Sequence, residues 1–140
     1  LLLMYKDGTY QVINIPEKQY VHQEGNKVVY TGIADKKAVF SVIYKNPKTH
    51  ICSAKKFIVS KFILDKIYRY FEEGMELMLI STEADLNVEL QFIPKPQQRL
   101  SKIVFPFDKV LVKSVTASGV TMARREVKKV VVLKNSPKIS

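Results

Sequence analysis

A single cysteine, Cys52, is present among the 140 residues. One cysteine cannot form an internal disulfide, which is typical of proteins from a reducing compartment. No apolar run approaches the ~20 residues that a membrane-spanning helix needs, and the first residues lack the basic region and cleavage site of a secretory signal. We therefore expect a cytoplasmic protein with no membrane partner. Leu1 in place of an initiator Met indicates a fragment of a longer chain.

Glycine and histidine are also scarce, which limits the chemistry that the chain can carry. The 5 glycines are isolated from one another, so no phosphate-binding glycine loop is present. The 2 histidines, His22 and His50, are too few to complete a zinc site of about four ligands with Cys52. His50 and Cys52 lie two residues apart on a predicted strand and would share a face. This pair fits a Cys–His nucleophile, half of a metal site or an ordinary strand surface, and the last is the simplest interpretation.

Two further groups have simple structural explanations. The acidic residues around Gly74 are typical of a solvated turn, although paired carboxylates can exchange protons. Arg69 precedes Tyr70, and such a pair can mark a tyrosine that attacks a DNA phosphate. Tyr70 also lies beside Tyr68 and Phe71, however, and this aromatic cluster predicts packing rather than catalysis.

Acidic residues are outnumbered, with 13 Asp and Glu against 23 Lys and Arg, for a net charge of +10. The charge is distributed in blocks. Residues 1–35 carry 3 basic and 4 acidic side chains, residues 36–71 carry 9 and 1, residues 72–94 carry 0 and 6, and residues 95–140 carry 11 and 2. Two basic blocks thus flank an acidic one. Strong positive charge of this kind predicts a polyanionic partner, above all nucleic acid, more than a surface kept basic for solubility.

One pattern recurs along the chain: an apolar run, a polar turn, and a second apolar or mixed run. Turn chemistry is supplied by Asp7-Gly8, Asn46-Pro47 and Ser118-Gly119. The starts lie 37, 38 and 33 residues apart, a spacing that predicts an array of small β units. The four stretches are LLLMYKDGTYQVINI from Leu1, AVFSVIYKNPKTHICSAKKF from Ala38, ELMLISTEADLNVELQF from Glu76 and KVLVKSVTASGVTMARREV from Lys109. We therefore predict an all-β fold in which the hairpin occurs four times.

Individual strands differ in the strength of their signal. Residues 86–92 alternate strictly between apolar and polar side chains, which predicts a half-buried strand. The continuous apolar run of residues 77–80 predicts a deeper strand. Residues 57–71 fit helical spacing in part, with Ser60 as a possible N-cap, but their β-branched and aromatic side chains favour strand with a bend near Leu64-Asp65.

Basic residues after the turns are the candidate binding groups. Adjacent strand residues point to opposite faces, so Arg124 and Arg125 can reach one ligand only from an edge strand or a bend. A rim of such residues would bind phosphates without reading sequence. No aromatic residues are interleaved with the second group, which favours duplex over single-stranded DNA. The candidate DNA contacts are Lys55, Lys56, Lys61, Arg124, Arg125, Lys128 and Lys129.

The stretches LLLMYKDGTYQVINIPEK, VFSVIYKNPKTHICSAKKF and ASGVTMARREVKKVVVL resemble the C-terminal domain of the A subunit of bacterial type IIA topoisomerases, DNA gyrase and DNA topoisomerase IV. Repeats of that family run as an apolar strand, a glycine-containing turn, a strand ending in basic residues, and a connector. The gyrase box of glutamine, two arginines and glycines is missing, because Gln97-Gln98-Arg99 is not followed by glycine. Topoisomerase IV is therefore the nearer likeness.

The resemblance implies a propeller-like β-pinwheel of three or four blades that spans residues 1–140 as a single domain. It implies that the domain binds and bends double-stranded DNA and presents it to the catalytic core. The chain itself would be non-catalytic and would need no metal or cofactor. The parent protein would be an ATP-hydrolysing type II topoisomerase that works with a B subunit in the bacterial cytoplasm, associated with the chromosome.

Two alternatives from other classes remain open at this point. A propeller-type interaction module would use its basic faces to bind an acidic protein partner. A small hydrolase would use His50 and Cys52, although no third group is placed to assist them.

Overall fold

The computed structural model describes residues 1–14, 28–32, 37–59, 62–83, 86–94 and 101–133. Within these ranges the chain is all-β, as predicted, apart from one turn of 3-10 helix at Phe107–Lys109. No helix in the described part of the chain is long and apolar enough to cross a membrane. The strands are β1 (Leu2–Tyr5), β2 (Thr9–Val12), β3 (Val28–Gly32), β4 (Val39–Lys45), β5 (Cys52–Ile58), β6 (Tyr68–Arg69), β7 (Glu76–Ser81), β8 (Asn87–Phe92), β9 (Lys102–Pro106), β10 (Val112–Lys113), β11 (Val120–Thr121) and β12 (Val127–Leu133).

The described strands form three sheets. The first sheet has the order β3-β1-β2-β6. The second has the order β10-β5-β4-β7, with β11 also paired to β5, and the third has the order β12-β8-β9. Several sheets without a closed barrel are compatible with a β-pinwheel.

A single rule relates the three sheets. Each is centred on an antiparallel hairpin, β1–β2, β4–β5 or β8–β9. In chain order, β1 to β3 form the first unit, β4 to β7 the second and β8 to β12 the third. The last strand of each unit, β3, β7 or β12, pairs with the first strand of the hairpin in the same unit. The short strands that precede β7 and β12 pair instead with a strand of the previous unit. β6 pairs with β2, and β10 and β11 pair with β5. Sheets one and two are thus completed by residues of the following unit.

The turn of the first hairpin depends on Gly8. Its φ of +92° lies in the left-handed region that side chains rarely adopt, and an added Cβ would lie 2.6 Å from Phe71 Cε1. Asp7 Oδ1 accepts a hydrogen bond from the Thr9 backbone N–H at 3.0 Å. The predicted hairpin at Leu1 is confirmed.

The turn of the second hairpin spans residues 46–51 and contains no glycine. Asn46 Oδ1 accepts the Lys48 N–H at 2.9 Å, and the Asn46 carbonyl accepts the His50 N–H at 2.7 Å. His50 takes the left-handed conformation, with φ 60°. The predicted hairpin at Ala38 is therefore confirmed, with histidine at the position where glycine is more usual.

The third and fourth predicted hairpins are wrong. β7 and β8 do not pair with each other, because β7 joins β4 of the second sheet and β8 joins β9 and β12 of the third. β10 and β11 both pair with β5 rather than with one another. The apolar run of residues 77–80 is only half-buried, since β7 lies at the edge of its sheet.

Two other local predictions have different outcomes. Residues 86–92 alternate between buried and half-buried positions as expected. Residues 62–71 form no helix, and the chain turns at Leu64-Asp65, where Asp65 has φ 66°. The predicted strand over residues 57–71 is wrong for most of its described length, because only residues 57–58 and 68–69 are strand. Ser60, the alternative N-cap, lies outside the described residues.

Two apolar cores lie between the sheets. The first joins side chains of the first and second sheets, among them Met4, Tyr10 and Phe57. The second joins Ile43 and Ala54 of the second sheet to side chains of the third. The second sheet is thus packed on both sides, and its position fixes where the neighbouring units meet.

Candidate nucleic-acid interface

A groove of about 410 Å³ lies where the second and third units meet. One wall is the turn between β4 and β5, and the other is the connector between β11 and β12. Three of its side chains are basic. The lining residues are Lys48, Thr49, Ile51, Ile93, Arg124, Arg125 and Glu126. We call this site the basic groove.

Backbone hydrogen bonds hold the two walls of the basic groove together. The Met122 N–H donates to the Cys52 carbonyl at 3.0 Å, and the Val127 N–H donates to the His50 carbonyl at 2.8 Å. A third bond joins the Ile93 N–H to the Glu126 carbonyl at 3.0 Å. Arg124 and Arg125 therefore occupy a bend that is anchored at both ends.

The two arginines have different surroundings. Arg124 is exposed, whereas Arg125 is half-buried, and its Cζ lies 4.1 Å from the centroid of the Phe92 ring. Stacking on the face of an aromatic ring favours one orientation of the guanidinium. The predicted requirement for a bend at this pair is met, and both arginines line the same groove.

A β-bulge follows directly after the groove. Val127 pairs with Phe92 and Lys129 pairs with Gln91, so Lys128 is an extra residue in the β12 ladder. Lys128 and Lys129 are both exposed, although neighbouring residues of a regular strand would alternate. The bulge thus extends the positive surface beyond the arginines.

Two basic residues of this region were missed in the sequence prediction. Lys48 lines the groove from the β4–β5 turn. Lys102 lies opposite Gln91 on β9, and Gln91 lies opposite Lys129, so the three form one row across the third sheet. The Lys48 position follows from the predicted turn, but the Lys102 position depends on a pairing that the sequence does not specify.

Lys55 is buried, with 5% of its surface exposed, so it does not belong to the predicted DNA-binding surface. Its Nζ donates a hydrogen bond to the Tyr70 carbonyl at 2.8 Å and another to the Val115 carbonyl. Burial of the ammonium lowers the pKa of Lys55. The side chain therefore links the connector after β6, in the second unit, to the connector after β10, in the third unit. It faces a core because both faces of the second sheet are packed.

Another predicted contact lies elsewhere. Lys56 is half-buried and lines a separate recess with Lys113 and Val120, on the side of β5 that β10 covers. Lys61 lies outside the described residues. The structure thus brings together Arg124, Arg125, Lys128 and Lys129, and adds Lys48 and Lys102 to them.

The residues considered for catalysis do not assemble a site. Cys52 is buried, and burial raises the pKa of its thiol to about 11, so the thiolate is disfavoured at neutral pH. His50 lies in the turn rather than on the strand, so the expectation that it shares a strand face with Cys52 is wrong. No cluster of three His, Cys, Asp or Glu suited to a metal occurs in the described ranges.

Tyr70 is also part of the packing. It is buried, its hydroxyl donates to the Tyr5 carbonyl at 2.5 Å, and burial raises its pKa. Its ring lies 5.0 Å from that of Phe71 in an edge-on arrangement. The packing interpretation of this aromatic cluster is confirmed.

Fold and surface together define a class: a repeating β protein with a basic edge that two neighbouring units build. The chain belongs to the topoisomerase C-terminal domain family of Bacteroidota, whose model matches residues 1–135. A relative from Borreliella burgdorferi, the A subunit of DNA topoisomerase 4, is 28% identical over 130 residues. The alignment covers 92% of this chain and 20% of the relative, so the chain spans about a fifth of its length. No solved structure matches the chain significantly.

Proposed function

We propose that this domain binds double-stranded DNA through the basic groove and the β12 bulge, as the non-catalytic C-terminal part of a topoisomerase IV-like A subunit. Membership of the topoisomerase C-terminal domain family supports the setting. The observation that carries the proposal is the convergence of Lys48, Arg124 and Arg125 on one groove. Lys128 and Lys129 continue its positive surface.

The chemistry of these side chains suits a phosphate backbone. Guanidinium groups donate paired hydrogen bonds to phosphate oxygens, and lysine ammonium groups add mobile positive charge. Binding of this kind releases counterions and reads no sequence, because every base pair carries the same phosphates. Duplex of any sequence is therefore the proposed ligand.

The domain would also bend the bound duplex, and bending would bring a DNA segment toward the catalytic core of the parent enzyme. In that role the domain would serve ATP-dependent strand passage, together with the core and a B subunit, and the enzyme would act in the cytoplasm on the bacterial chromosome. The name of the Borreliella relative, the A subunit of DNA topoisomerase 4, supports this setting over gyrase.

The experiment is fluorescence anisotropy of a labelled duplex of ~40 base pairs at two salt concentrations. Binding that weakens steeply with salt is expected, and charge reversal of Arg124, Arg125, Lys128 and Lys129 to Glu should lower affinity at least about tenfold for any sequence. The matched control reverses four exposed lysines elsewhere, namely Lys6, Lys37, Lys66 and Lys113. Equal losses in both variants would refute this location of the interface.

Absence of binding at low salt would remove DNA as the ligand of the domain. The same basic surface would then be tested against acidic protein partners.

A further inference from the structure

Two junctions between units have equivalent architecture. At the second junction, described above as the basic groove, the chain after β11 bonds to the start of β5 through the Met122 N–H and the Cys52 carbonyl. At the first junction, the chain after β6 bonds to the turn between β1 and β2 through the Tyr70 N–H and the Gly8 carbonyl, at 2.8 Å. In both cases a connector lies against the hairpin turn of the preceding unit.

The connectors of the two junctions carry opposite charge. The connector of the first junction presents Glu72 and Glu73, both exposed, where that of the second presents its two arginines. The first junction does contain Arg69, but its guanidinium donates to the Asp7 carbonyl at 2.9 Å and to the Phe71 carbonyl at 3.1 Å. A polyanion that lies on the second junction would therefore meet exposed carboxylates at the first.

Positive charge continues from the basic groove onto the third sheet. Its inner face packs in the second apolar core, and its outer face carries the row Lys129, Gln91 and Lys102. Strand spacing places the two lysine Cα atoms about 10 Å apart. The Lys102 side chain is 64% exposed, with Nζ 3.5 Å from the Glu89 carboxylate. Because Gln91 also donates to Glu89 at 2.9 Å, this carboxylate is shared within the sheet.

We propose that duplex DNA leaves the basic groove in one direction only, across the outer face of the third sheet, with Lys129 and Lys102 as phosphate contacts. Glu72 and Glu73 end the path on the other side, because phosphates there would face like charge. This inference rests on the proposed function and adds the direction of the DNA and the residues that set it.

One test uses charge reversal at Lys102. Lys102→Glu is expected to weaken binding of a ~40 base-pair duplex at least about fivefold, and Lys102→Gln to lower the salt slope by about 0.9, the value for one phosphate contact. The control is Lys113→Glu, an exposed lysine on β10 that carries the same change of charge. Thermal unfolding of each variant verifies that the domain stays folded.

A second test extends the path. Glu72→Lys combined with Glu73→Lys should strengthen binding of a ~40 base-pair duplex severalfold while leaving a ~15 base-pair duplex nearly unchanged, since only the longer duplex reaches the first junction. The control combines Glu83→Lys with Asp108→Lys, two other exposed acids with the same change of net charge. A general charge effect would raise the affinity for both duplexes in both variants.

The outcomes separate the two proposals. One outcome is that duplex binding depends on Arg124 and Arg125, but the Lys102 variants bind like the Lys113 control and the Glu72→Lys, Glu73→Lys variant gains affinity equally for both duplex lengths. The proposed direction of the DNA is then wrong and the proposed function stands. If the unchanged chain binds no duplex at low salt, both are wrong. Selective loss at Lys102 together with a length-dependent gain at Glu72 and Glu73 supports both.

Discussion

Two strands carry a pair of adjacent lysines, and the two pairs differ in how far their side chains are buried. On β5, Lys55 is buried and its neighbour Lys56 is half-buried. On β12, Lys128 and Lys129 are both exposed. The difference follows from the backbone, because β5 is a regular strand with partners on both edges, whereas β12 has a bulge at Lys128.

The comparison shows that charge density along the chain does not measure charge at the surface. A regular strand points two neighbouring side chains to opposite faces, and in a sheet packed on both faces a lysine can therefore be directed into a core. Lysine is accepted there because two backbone carbonyls bind its ammonium. A bulge removes the alternation and turns the same dipeptide into two surface charges.

The largest effect is expected from removal of the buried lysine. Lys55→Ala should lower the free energy of unfolding by about 3 kcal/mol, because the Tyr70 and Val115 carbonyls lose their donor and packed methylene groups are lost. Lys56→Ala is the matched control and should cost less than about 1 kcal/mol. Urea denaturation measures both, and equal small losses would show that the buried ammonium does not support the fold.

A smaller effect is expected when the bulge is removed. Deletion of Lys128 leaves Val127 opposite Phe92 and Lys129 opposite Gln91, so the ladder stays in register. Stability should change by less than about 1 kcal/mol, while the salt slope of duplex binding falls by about 0.9, as for loss of one phosphate contact. Lys128→Ala is the control and should give the same slope. Unfolding of the deletion variant would contradict this account of the bulge.

The smallest effect concerns the carboxylate beside the exposed row. The Gln91 amide, and secondarily the charge of Lys102, hold the pKa of Glu89 below its ordinary value of 4.5. The ionised form thus contributes stability above the unfolded-state pKa, and this contribution is lost as pH falls through the lower folded-state pKa. Gln91→Ala should raise the pKa of Glu89 more than Lys102→Ala does. NMR titration of the Glu89 side chain measures both shifts, and the reverse order would identify Lys102 as the main cause.

Features with local causes were predictable from the sequence. Asp7-Gly8 and the asparagine turn after β4 contain their own hydrogen-bond partners, so the first two hairpins were predicted correctly. The alternation of residues 86–92 predicted the buried face of β8. For Arg124 and Arg125 the sequence predicted an edge strand or a bend if both were to reach one ligand, because side chains alternate on a regular strand, and the structure has the bend.

Features that depend on distant partners were not predictable in the same way. An apolar run, a turn and another apolar run look alike whether the two strands pair with each other or with different sheets. Residues 76–92 contain β7 and β8, and these join separate sheets. The burial of Lys55 depends on connectors around Tyr70 and Val115, far away in sequence, and no pattern around residue 55 indicates them.

The reach of β6 back to β2 has a consequence for how the protein is made. The first sheet cannot close when residues 1–32 leave the ribosome, because its fourth strand lies at residues 68–69. The second sheet likewise stays incomplete until residues 112–121, which contain β10 and β11, have been synthesised. Synthesis therefore completes the first and second sheets only after most of the following unit is available, which couples neighbouring units and lengthens the loops that folding must close. A nascent chain stalled after β5 would carry β2 with an unpaired edge, a site where other chains could add a strand.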